Sequence, residues 1–89
     1  MEYYETLDKY VRISNELYRE FDKIFKRKEE CQLTFLNDED DHISIKSKIS
    51  KFTNINGSEF MDINDGMRIR LDKIIALNGQ YTKDFNNYS

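Results

Sequence analysis

Cys31 and His42 are the only cysteine and the only histidine in the chain, so the first chemistry to consider is a thiol activated by an imidazole. Such a nucleophile needs a base within hydrogen-bond reach and a third group that orients the base. Neighbouring strands could bring the two together, but no orienting group is identifiable. Cys31 also falls in phase with Leu33 and Phe35, which reads as a buried structural cysteine. The next chemistry is calcium binding, at Asp38–Asp41 and Asp62–Asp65. A calcium loop needs glycine at its sixth position, yet Asp38, Asp40 and His42 are followed by Ile43, and a loop begun at Asp62 reaches Gly66 one position early. Both segments read as hairpin turns. The three glycines stand apart at turns, so no phosphate-cradling loop exists, and no Cys/His spacing suits zinc. The expectation is a protein that is not an enzyme, with no metal, no cofactor and no small-molecule substrate, acting by surface recognition.

Charge is where recognition would be written. The formal net charge is -3, against a strongly basic polyanion binder. Glu16, Glu20 and Asp22 begin one stretch, and Asp38, Glu39, Asp40 and Asp41 form a run with no intervening cation. An acidic surface of this kind suits a basic, nucleic-acid-binding partner, because it presents the charge a phosphate backbone would. The competing surface is basic. Lys46 and Lys48 share the polar side of one alternating stretch and Arg68 and Arg70 that of another, which would form a cationic stripe for RNA if the two were neighbours.

These residues need elements to hold them. The chain has 89 residues, 35% of them charged and 13% aromatic, which fits one small domain with a modest core. Its longest apolar run, Ile74–Leu77, is far short of the roughly 18 residues of a membrane span. The start, EYYETLDKY, lacks the basic and apolar regions of a signal peptide. With a single cysteine, the expectation is a cytoplasmic protein without a membrane partner.

Leu17, Tyr18, Phe21, Ile24 and Phe25 make an apolar stripe at helical spacing. Ser14 or Asn15 offers an N-cap, and Lys26, Arg27 and Lys28 suit the negative end of the helix dipole. Beyond it, Cys31, Leu33 and Phe35 alternate with polar residues, as do Ile43, Ile45, Ser47 and Ile49. Phe52 then falls out of phase, which calls for a bulge near Ser50 or Lys51. Asn56-Gly57 and Asn64-Asp65-Gly66 are turn signals. After them Met67, Ile69 and Leu71 alternate with Arg68, Arg70 and Asp72, with the first three facing the core. Ile74–Leu77 makes a last short strand closed by Asn78-Gly79. The predicted fold is mainly β with one N-terminal α-helix: about five strands in a small bent antiparallel sheet or open barrel of the Sm or SH3 type. Residues 1–9 form a flexible arm, residues 10–79 the domain, and residues 80–89 a disordered tail.

The segments YVRISNELYREFD (Tyr10 to Asp22) and RIRLDKI (Arg68 to Ile74) resemble the Rho-binding antiterminator family, Rof or YaeO. The likeness lies in a lead-in of the form Tyr-x-Pro-Ile, a short helix carrying acids and a tyrosine, and a late Arg-x-Arg-Leu-Asp-x-Ile strand, and it covers residues 10–79. Arg12 stands at the lead-in proline, Asn15 at a frequent cysteine, and Arg19 at a usually acidic position. The resemblance implies an Sm-like barrel that binds transcription termination factor Rho and inhibits termination by covering its RNA-binding surface. It places the acidic helix positions on Glu16, Glu20 and Asp22. Asp72 reads as structural, tying a turn or an adjacent backbone amide, and not as a contact.

Overall fold

The computed structural model describes residues 9–86. The expected flexible arm therefore lies outside the described residues up to position 8. Helix α1 spans Asn15–Arg27. Ser14 is its N-cap, with Oγ accepting from the Leu17 N–H at 3.1 Å. Leu17, Phe21 and Ile24 are buried, the centre of the stripe read from spacing. The helix ends at Lys28, whose φ of 58° lies in the left-handed region. There the Lys28 N–H donates to the Phe25 carbonyl and the Glu29 N–H to the Ile24 carbonyl, the paired closure that usually employs glycine.

Six strands follow: β1 (Glu30–Leu36), β2 (His42–Ile55), β3 (Ser58–Ile63), β4 (Arg68–Arg70), β5 (Ile74–Leu77) and β6 (Gln80–Tyr81). They form one antiparallel sheet in the order β4-β3-β2-β1-β5-β6. Each strand through β4 pairs with its predecessor, a 3-10 turn at Leu71–Lys73 reverses the chain, and β5 returns to pair with β1. The result is an open, bent antiparallel sheet preceded by one helix, as the alternation of the strands predicted. The bend lies in β2, which pairs with β1 from His42 to Lys48 and with β3 from Ile49 to Ile55, with an irregularity between Ile49 and Lys51. The bulge is thus where the phase break at Phe52 puts it. Ser50 secures it by donating from Oγ to the Asp62 carbonyl at 2.9 Å.

The turns follow from their residues. Asn56 and Gly57 join β2 to β3 with φ of 53° and 90°, positive at both central positions of a two-residue hairpin. At Asn64-Asp65-Gly66, the Gly66 N–H donates to the Ile63 carbonyl and the Ile63 N–H to the Met67 carbonyl, a three-residue loop with glycine at its left-handed position.

Two expectations need correction. Met67 is 39% exposed and precedes β4: its carbonyl closes the three-residue turn on Ile63, outside the β3–β4 register. Only Ile69 and Leu71 of the three are buried, and Leu71 belongs to the 3-10 turn. The segment after Gly79 is not a disordered tail as far as Asn86. Asn78 and Gly79, at φ 52° and 85°, make a hairpin into β6, and a second 3-10 turn occupies Thr82–Asn86. Thr82 Oγ1 lies within hydrogen-bond distance of the carbonyls of Ile74 (2.8 Å) and Ile75 (3.0 Å), and Phe85 packs against the core. The core joins α1 to the inner sheet face, with Phe21, Leu17, Leu33, Met61, Leu71 and Cys31 the largest fully enclosed side chains.

Candidate functional site

The acidic run forms the β1–β2 turn, and a single side chain shapes it. Asn37 Oδ1 accepts from the backbone N–H groups of Glu39 (2.8 Å) and Asp41 (2.9 Å), while the Asn37 N–H donates to the Asp41 carbonyl at 3.0 Å. Asp40 takes a φ of 63°, a conformation aspartate tolerates better than most residues. Asp38, Glu39, Asp40 and Asp41 are all exposed. None of these carboxylates belongs to an ion pair among the described residues.

The helix acids are placed differently. Glu20 pairs with Lys23 at 3.1 Å, Asp22 with Lys26 at 2.9 Å, and Glu16 approaches Arg19 at 4.0 Å. These are exposed intrahelical pairs worth a few tenths of a kcal/mol each, ~0.3–0.5 kcal/mol. Their main effect is to cancel the face's charge. Glu16 and Glu20 line a groove against the closing 3-10 turn with Arg19, Lys23, Asp84 and Phe85, a mixed surface. A chain of contacts ties this groove to the acidic turn. Ser14 Oγ donates to the Phe85 carbonyl, Thr82 bonds Ile74, and Ile74 pairs with Phe35 at the strand end leading into the turn.

The basic stripe is divided. Arg68 forks onto Asp62, with Nε to Oδ1 at 2.8 Å and Nη2 to Oδ2 at 3.3 Å. The hydrogen bond from Arg68 holds the Asp62 carboxyl below its usual range, against the opposing effect of desolvation. Lys51 approaches the same carboxylate at 4.0 Å and Thr53 Oγ1 donates to it at 3.3 Å. Arg70 grips Asp72 in the same way, at 2.6 and 3.1 Å. Lys46 and Lys48 stay exposed on β2, opposite Gln32 and Glu30 of β1. They lie on the half of β2 that pairs with β1, whereas β4 borders β3, so the four cations do not make one stripe.

Besides Arg70, Asp72 Oδ2 accepts from the Val11 N–H at 2.9 Å, an amide 61 positions away in the chain and not the adjacent one expected. Next to it the Tyr10 ring lies over the Arg70 guanidinium, 5.9 Å from it, and Tyr10 Oη donates to Glu59 Oε1 at 2.9 Å. Burial and this carboxylate push the Tyr10 phenol well above its ordinary range. Spacing alone did not signal the Tyr10–Glu59 contact, which joins residues far apart in sequence.

Cys31 and His42 do not meet. Cys31 is buried opposite Ser47, while His42 is exposed opposite Leu36, five positions along β1, about 17 Å away at ~3.4 Å per residue. Burial also pushes the Cys31 thiol upward, away from the reactive thiolate. Among the described residues no three His, Cys, Asp or Glu side chains converge as metal ligands, and no helix is long and apolar enough to cross a membrane.

The small open β-sheet with its one helix carries charged regions of both signs, and such a fold does not by itself name a function. Comparison with protein-family models, with curated proteins and with solved structures found no match in any of the three.

Proposed function

We propose that this protein is a non-enzymatic regulator that docks an acidic surface on the cationic RNA-binding surface of another protein, with transcription termination factor Rho as the partner and inhibition of Rho-dependent termination as the outcome. The observation that carries this reading is the Asp38–Asp41 turn, four adjacent exposed carboxylates without a paired cation among the described residues. Glu16 and Glu20 extend the surface but arrive with Arg19 and Lys23 beside them, so the turn carries more of the attraction than the helix. Asp22, held by Lys26, contributes least. The partner's identity rests on the resemblance of Tyr10–Asp22 and Arg68–Ile74.

Capture of purified Rho by the tagged protein tests this at rising salt. Binding should weaken steeply with ionic strength. Asp38→Lys combined with Asp41→Lys should reduce it by about tenfold or more, equivalent to ~1.4 kcal/mol. Glu16→Lys with Glu20→Lys should have a smaller effect. Full affinity after the turn is reversed would sink the proposed surface, and no binding of the unaltered protein would remove Rho as the partner.

A further inference from the structure

A second surface lies where α1 ends against the bulge of β2. A cleft of about 330 Å³ opens there, lined by Phe25, Lys26, Lys28, Lys48, Ile49, Ser50 and Asn64. Its size is at the lower end of small-ligand sites, ~300–1,000 Å³. Three of its walls are lysines and none is a carboxylate, in a chain whose net charge is negative. Asp22 holds Lys26 at 2.9 Å, but Lys28 and Lys48 make no ion pair among the described residues, and Glu30, across the ladder from Lys48, makes none either. Lys46 continues the row on the same side of β2.

Lys28 provides a second, independent observation. It occupies the left-handed helix terminus at φ 58°, where glycine, lacking a Cβ, meets no steric penalty. A lysine at a position that favours glycine is consistent with use of its side chain.

We infer that this cleft binds single-stranded RNA, with Lys26, Lys28 and Lys48 meeting phosphates and Phe25 offering its ring to a base. The half-buried Phe25 ring packs edge-on to Phe52 at 5.4 Å, and an aromatic beside a cationic row is how sequence-tolerant single-strand sites are built. Ribose fits the remaining polar groups. Ser50 Oγ already donates its proton to the Asp62 carbonyl at 2.9 Å, so it meets a ligand as an acceptor, and the Asn64 carboxamide is uncommitted. A 2′-hydroxyl donates to such acceptors, and DNA has none. The cleft is separate from the acidic turn, because Lys48 and His42 lie about 20 Å apart along β2 at ~3.4 Å per residue.

Fluorescence anisotropy with a labelled oligouridine of about ten nucleotides, at ~50 mM salt, tests the inference on the full chain. The unaltered protein should bind, and Lys28→Glu with Lys48→Glu should weaken binding by about tenfold or more and flatten its salt dependence. Lys28→Gly relieves the backbone while removing the charge. It should melt no lower than the unaltered protein yet bind several-fold more weakly, a split that a purely structural role would not produce. Absence of binding, or binding unchanged by the double reversal, would overturn the site. Equal affinity for the matching DNA oligomer, or displacement of the RNA by a polyglutamate peptide at equal charge, would overturn the choice of RNA. None of these results bears on capture of Rho by the acidic turn.

Discussion

Asp62 shows what charge on the sheet's outer surface does. It faces Arg68 across β3 and β4 and Lys51 across β2 and β3, so one carboxylate joins three strands. Its folded pKa is depressed, so its contribution to stability is complete above the unfolded value, ~3.9, and is lost as pH falls through the folded value. The unaltered protein and Asp62→Asn should therefore differ in Tm at about pH 5 and converge toward about pH 2. A difference that stays constant over that range would assign the effect of Asn to shape and not to charge. This partnership was not legible in the sequence. The alternation placed Arg68 and Arg70 correctly on a polar face, but whether they meet a phosphate or a carboxylate depends on register, which places Asp62 opposite Arg68. Asp72 was legible only as structural: its expected partner was a turn or an adjacent amide, whereas it is held by Arg70 and by the Val11 N–H, 61 positions away.

Elements declared themselves to the extent that their periodicity was undisturbed. The stripe of α1 and the alternation of β1 and β2 correspond to buried faces, and the phase break announced the bulge. β6 was missed although Asn78-Gly79 is the same dipeptide that announced the β2–β3 hairpin. A two-residue strand has no period to detect, and Tyr81 is 59% exposed. The final segment is held by the two contacts of Thr82 and by the partial burial of Phe85. One hydroxyl hydrogen bond shared between two carbonyls, at about 1 kcal/mol, with an aromatic ring partly withdrawn from water, predicts that truncation after Gly79 destabilises the domain by ~1–3 kcal/mol. Chemical denaturation measures this. A loss below ~0.5 kcal/mol would mean that the segment is a passive extension. The basic run at the end of α1 was legible as a match to the helix dipole, but its place beside Lys48 was not, because it depends on how the helix crosses the sheet.

At the scale of the molecule, β2 carries charge of opposite sign at separate points, with the carboxylates before His42 and the cationic cleft around Lys48. The small net charge conceals this separation. For the proposed basic partner this separation orients approach, so the association rate should fall several-fold as salt rises from about 50 to 200 mM while the dissociation rate changes little. Surface plasmon resonance separates the two rates. Salt sensitivity confined to dissociation would argue for short-range contacts over steering.

Asn37 has a consequence beyond the shape of its turn. Four like charges on a free loop would spread apart, and a partner would have to gather them at a cost in conformational entropy of roughly 1–2 kcal/mol for each residue ordered. Its carboxamide fixes the backbone of Glu39 and Asp41, so that ordering is completed during folding. The tip is thus preorganised, and a cationic surface of matching spacing is favoured over one that merely has enough charge. Under the proposed function, discrimination among basic partners becomes a matter of distances, fixed by an uncharged side chain.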